Sequence, residues 1–198
     1  MKRLTLQKTI IGLVILLISV PAIYFSIQII TLWSQGIGKV GNDSEKYYYS
    51  TFPVEGVYDV EIDLGNIESN KGKVLYEENG LEIQVSDVVV KESSESIIYF
   101  RAIGHANLNG AMLVSGLEHT ENSTDAKFNA KANIEYEGAT FELEPNSYSA
   151  LEYKDGDEFS FYLFPQDIEL DVEEVLTVTV SVSNLQLNWW MMKDLFQR

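Results

Sequence analysis

The chain has 198 residues, with 30 acidic side chains against 14 basic ones and no cysteine. Disulfides, thiolate metal sites, a thioether lipid anchor and cysteine nucleophiles are thereby excluded, and a surface this acidic repels phosphate backbones, which removes nucleic acid as a partner. The first forty residues hold four bases (Lys2, Arg3, Lys8, Lys39) and no acid, so all 30 acids and the other 10 bases fall in the remainder, a net of −20 there.

Residues 1–8 read as a cytoplasmic N-terminus and 9–33 as a transmembrane signal anchor. From Thr9 to Gly38 there is no charged side chain, and Ile10 to Trp33 is almost continuously apolar, with Gln28 its one strongly polar interruption. About 24 helical residues cover roughly 36 Å, more than the roughly 30 Å of a hydrocarbon core. Pro21 kinks such a helix, which membranes tolerate, and Trp33 falls where an interfacial aromatic belongs. Bases before the span and acids beyond Lys39 place the N-terminus inside and residues 40–198 outside a cell membrane. Cleavage after Val20-Pro21-Ala22, as in a secretory signal peptide, would leave Ile23-Tyr24-Phe25 through Trp33 as an apolar new terminus, so an uncleaved anchor is favoured.

Residues 34–56 read as a linker, Gly-rich and polar from Ser34 to Ser44, with a possible first strand. Tyr47-Tyr48-Tyr49 follows it, a cluster able to stack on a sugar or partner or to close the base of a domain. An extracellular β-sandwich is expected over 57–187. Tyr58, Val60, Ile62 and Leu64 alternate with acids, a half-buried strand. Asn79-Gly80 is a hairpin turn joining Val74-Leu75-Tyr76 to Leu81, Ile83 and Val85. Ile98–Leu108, Phe128–Tyr136, Phe159–Leu163 and Leu176–Val182 supply further apolar faces at period two, separated by turn signals at Gly65-Asn66, Ser93-Ser94, Asn109-Gly110, Gly138, Pro145-Asn146 and Asp155-Gly156. Seven to nine such strands predict a mostly β fold, an antiparallel immunoglobulin-like sandwich after one N-terminal transmembrane helix.

The N-terminal anchor, the short linker, the entry hairpin GKVLYEENGLEIQV and the closing strand LTVTVSVSNL together resemble the membrane-anchored immunoglobulin-like surface proteins of Gram-positive bacteria. The resemblance is one of layout and implies a sandwich that binds rather than catalyses; it carries over no functional residue. The lack of cysteine points the same way, since small exported eukaryotic domains are commonly stapled by disulfides.

Catalytic chemistry has little to rest on. His105 is in phase with the polar side of its strand, and His119 lies in the polar stretch Gly116–Asp125, an expected exposed loop; neither has zinc-site spacing. No glycine-rich loop opens a helix, so no nucleotide cofactor is expected. Asp155, Asp157 and Glu158 cluster hard oxygens at a turn and are weak calcium candidates, as is the acidic run Asp167–Glu174, although neither matches the twelve-residue calcium loop; solvated turns fit both better. Asn122-Ser123-Thr124 has the form of a glycosylation sequon.

Residues 188–198 read as an apolar tail. The last strand loses its phase at Ser183-Asn184, which predicts a bulge. Trp189, Met192 and Phe196 beyond it stand at helical spacing, while Trp190 adds to the apolar load. Trp189, Trp190, Met192 and Phe196, with Gln28 in the span, are the candidate membrane or protein contacts; packing of the tail across its own sandwich is the plainer expectation. The sequence therefore favours a non-catalytic cell-surface binding or accessory module, with a subunit of a membrane complex and a two-carboxylate envelope hydrolase as alternatives.

Overall fold

The computed structural model describes residues 2–90, 96–120, 125–136, 138–164 and 177–193. Ser93-Ser94, the sequon Asn122–Thr124, the acidic run Asp167–Glu174, Leu176 and Phe196 lie outside them.

Helix α1 spans Lys2–Gln35 with Pro21 inside it. It is long and apolar enough to cross a membrane, and its apolar side chains are exposed on every side from Ile10 to Ile30, while Leu32 near its end packs against the domain core. Two of its hydroxyls bond back to the helix: Ser26 Oγ donates to the Ala22 carbonyl and Thr31 Oγ1 to that of Ile27, both at 2.8 Å. Such back-bonding spares an apolar surrounding from unsatisfied donors.

The segment after α1 corrects the expected linker. Gly36 reverses the chain at φ +57°, where a Cβ would overlap the Lys154 carbonyl, so only glycine fits. Residues Ile37–Gly41 then form a short helix, α2. The Ile37 amide donates to the Lys154 carbonyl at 2.9 Å, and Ile37 and Val40 are fully buried in the domain core. The linker is thus a packed joint: its two branched apolar residues outweigh its glycines.

The strands are β1 (Tyr47–Asp63), β2 (Val74–Glu78), β3 (Leu81–Val89), β4 (Ile97–Ile103), β5 (His105–Asn107), β6 (Gly110–Ser115), β7 (Leu117–His119), β8 (Ala126–Phe128), β9 (Lys131–Tyr136), β10 (Ala139–Leu143), β11 (Pro145–Tyr153), β12 (Gly156–Tyr162) and β13 (Thr177–Met192). One antiparallel sheet runs β10-β9-β13-β6-β5, with β1 on the remaining edge of β13; the other runs β11-β12-β4-β3-β2; β7 and β8 form a hairpin of their own. The fold is mostly β, and the strands reach from Tyr47 to Met192, beyond the expected limits of 57 and 187 on both sides. The β2–β3 turn is as expected, with Asn79 at φ 53° and Gly80 at φ 77°, the double left-handed geometry of a two-residue hairpin.

β13 organises the first sheet. Along one edge it pairs with β1 from Tyr47↔Met192 to Asp63↔Thr177. Along the other, residues 179–183 pair with β9 and 186–191 with β6. The expected bulge exists at Asn184, but the extra residue belongs to β1: Glu55 and Gly56 stand opposite Asn184 alone. β13 breaks phase locally at Asn184 and Leu185 and has returned to its earlier phase by Asn188. Val178, Val180, Val182, Asn188 and Trp190 are all buried, and Leu185 on the opposite phase is buried too. No helix forms over Trp189–Met192, because pairing on both edges satisfies backbone groups that a short terminal helix would leave open.

β1 is an edge strand, and it carries Pro53, a bulge and the acids Glu55, Asp59, Glu61 and Asp63, devices that discourage pairing with another chain. The core positions read from alternation, Val60, Ile62, Ile83, Val85, Phe100, Ala132, Phe161, Val178 and Val180, are all buried. At its centre Phe100, Phe159, Phe161 and Phe128 meet in stacked and edge-on pairs with centroids 5.3–6.5 Å apart.

The packed joint yields a direct expectation. A fragment beginning at Gly41 loses Ile37 and Val40, whereas one beginning at Ser34 keeps them. Burial of two such side chains contributes about 3–6 kcal/mol, so the shorter fragment should be less stable by several kcal/mol in urea denaturation. Equal stability would show that α2 does not belong to the domain.

Candidate functional site

The three candidate calcium ligands do not converge. Asp155, in the β11–β12 turn, pairs with Arg101, whose guanidinium also lies 3.2 Å from the centre of the Tyr153 ring. Glu158 accepts a hydrogen bond from Ser86 Oγ at 2.9 Å. Asp157 points the other way, into the core, and is wholly buried. Successive residues of a strand face opposite sides, so Asp157 and Glu158 cannot share one ion. Among the described residues no three His, Asp or Glu side chains are grouped to hold a metal.

Asp157 instead centres a buried polar network that sequence reasoning missed. Ser115 Oγ donates to its Oδ1 at 2.7 Å, and His119 Nε2 lies 2.6 Å from its Oδ2. The Leu117 amide donates to Ser115 Oγ at 3.1 Å. Asn188 ties in from β13: its Oδ1 accepts from the His119 amide at 3.0 Å and from the Tyr49 hydroxyl at 2.9 Å, while its Nδ2 donates to the Leu117 carbonyl at 2.9 Å. Tyr49 and Trp190 pack at 5.5 Å and His119 and Trp190 at 5.8 Å. Burial pushes the Tyr49 phenol up to about 12, with the Glu118 charge adding to the rise and a hydrogen bond with Thr51 opposing it. His119 Nδ1 and Trp190 Nε1 are buried without a protein hydrogen-bonding partner.

A serine, a histidine and an aspartate in mutual contact invite comparison with a hydrolytic triad, and the geometry rejects it. A base must lie between hydroxyl and carboxylate to take the serine proton. Here the carboxylate lies between the other two. Ser115 and Asp157 have no exposed surface and His119 has 1 %, so no substrate reaches them. The network is a polar clamp between β6, β7, β12, β13 and β1.

His119 thus corrects the expectation of an exposed loop, since β7 carries it inward beside Leu117. His105 is exposed on β5, as its phase indicated. Trp190 is 2 % exposed and belongs to the core rather than to the surface. Trp189 is half-buried against Phe52, at 6.3 Å between ring centres. Met192, Tyr48 and Phe52 are exposed, and Gln28 is partly covered on α1. The signal for the clamp was present: Leu113, Ser115, Leu117 and His119 share one phase, and Asp157 is in phase with Phe159 and Phe161.

No family model, no curated protein and no solved structure matches this chain.

Asn188→Ala tests the clamp. It strands the Tyr49 hydroxyl, the His119 amide and the Leu117 carbonyl at about 1–3 kcal/mol each, so chemical denaturation should show a loss of at least about 3 kcal/mol. A loss under about 1 kcal/mol, comparable to an ordinary surface change, would mean that the network contributes little.

Proposed function

We propose that the chain is a membrane-anchored, non-catalytic binding or accessory module, with its N-terminus in the cytoplasm and an immunoglobulin-like domain on the outer face of a cell membrane. The observation that carries this reading is α1, a helix apolar on every side with no protein packed around most of it. A helix hydrophobic all round needs an apolar surrounding. Lys2, Arg3 and Lys8 stand at the start of α1, before its apolar stretch, and all 30 acids follow it, which supports the orientation.

The domain's own features support binding over chemistry. The histidine–carboxylate pair of His119 and Asp157 is sealed in the core, and the other histidine, His105, is exposed on β5. Two antiparallel sheets around one core favour the sandwich reading.

The alternative, a subunit of a membrane complex, is favoured by one feature: Tyr48, Phe52, Trp189 and Leu187 share one face of the β1–β13 pair, with Tyr48 and Phe52 exposed. Aromatic side chains of this kind are the usual anchors of protein interfaces.

Protease added to intact cells or protoplasts should remove the domain while an N-terminal tag survives. Protection of the domain under conditions that digest a known surface marker would contradict the orientation. Copurification of a stoichiometric partner in mild detergent, abolished by Phe52→Ala, would select the complex-subunit reading.

A further inference from the structure

The anchor enters the domain at one end, and that end differs in chemistry from the rest. α1 stops at Gln35 and α2 is docked at once against the β11–β12 turn through the Ile37–Lys154 bond. β1 starts and β13 finishes at the same place. Tyr47 pairs with Met192, the Lys193 amide donates to the Lys46 carbonyl at 2.8 Å, and Lys193 Nζ donates to the Ser44 carbonyl at 2.6 Å.

Three lysines gather there, each beside an aromatic ring. Lys154 Nζ is 4.5 Å from the centre of the Trp33 ring, Lys193 Nζ is 4.9 Å from that of Tyr48, and Lys46 Nζ is 5.3 Å from that of Tyr47. Trp33 is 73 % exposed and Tyr48 50 %. The neighbouring acids are partly answered already: Asp43 pairs with Lys39 and Asp155 with Arg101. Among the described residues that leaves Glu45 and Glu152 against Lys46, Lys154 and Lys193. In a domain whose remainder is strongly acidic, the described charges at the end nearest α1 sum to about neutral or slightly positive.

We propose that this end of the domain rests in the headgroup layer of the bilayer that holds α1, with Lys46, Lys154 and Lys193 on lipid phosphates and Trp33 and Tyr48 at the level of the interface. The inference rests on the proposed membrane anchor. Trp and Tyr are favoured at that depth, and lysines extend to phosphate from it. The joint makes the contact unavoidable: with no free linker between Trp33 and the buried Ile37, the domain cannot stand away from the surface. Its acidic remainder then points outward, away from anionic lipid.

The full chain lacks cysteine, so single cysteines can carry a fluorophore in nanodiscs containing nitroxide-bearing phospholipid. Leu17→Cys reports on α1. Ser44→Cys reports on the domain's inner end. Thr140→Cys lies on β10 opposite Glu135, which pairs with Thr179 at the far end of β13. The expected result is loss of Leu17-label fluorescence with acyl-chain nitroxide, loss of Ser44-label fluorescence with headgroup nitroxide, and no loss at Thr140. The double change Lys46→Glu and Lys193→Glu should then relieve quenching at Ser44 while leaving Leu17 quenched. Quenching at Leu17 with Ser44 no more quenched than Thr140 would overturn the docking and leave the anchor standing. An unquenched Leu17 would overturn the anchor itself, and the docking with it.

Discussion

A sixteen-residue strand holding both edges in use is an unusual way to finish a domain, and here one buried amide makes it workable. β13 pairs with β1 over its whole length, and with β9 and β6 in succession on the other side. For its C-terminal half to stay in phase, Asn188 must face inward, and an unsatisfied amide there would cost about as much as a large apolar side chain contributes. Tyr49, His119 and Leu117 satisfy it. The same contacts fix β7 inside the fold, bring His119 to Asp157, and let Trp190 serve as core. Asn188 thus sets the register of the strand, and the strand sets the sheet.

That register also bears on how α1 joins the domain. Because β1 and β13 end together beside α2, the first and last strands of the domain are both tied to the exit of α1. Gly36 and Ile37 join the helix to the β11–β12 turn at Lys154, and the short turn after α2 leads straight into β1. A free linker over residues 34–44, as the sequence led one to expect, would have left the helix and the domain unjoined.

Much of this architecture was legible in the residues. Period-two alternation identified the core faces of β1, β3, β4, β9 and β12, and Asn79-Gly80 marked its hairpin, because apolar side chains and left-handed turns leave direct traces in sequence. Polar residues inside the core leave a weaker one. Asn188, Asp157 and His119 each sit on an apolar phase, yet a polar type at such a position reads as solvent-facing unless its partner is known, and the partners lie 38 to 139 residues away. Helical spacing of Trp189 and Met192 likewise suggested a tail that leaves the sheet at 188, where pairing on both edges keeps these residues in β13. Ile37 and Val40 were overlooked for a different reason, since two apolar residues among glycines give no period.

Amide hydrogen exchange along β13 tests the central claim most directly. The account predicts that amides from Val178 to Met191 exchange slowly as one block, interrupted only at the bulge around Asn184, since the strand opens as a unit with the sheet. Slow exchange confined to Val178–Val182, with Gln186–Met191 exchanging like a frayed terminus, would contradict it.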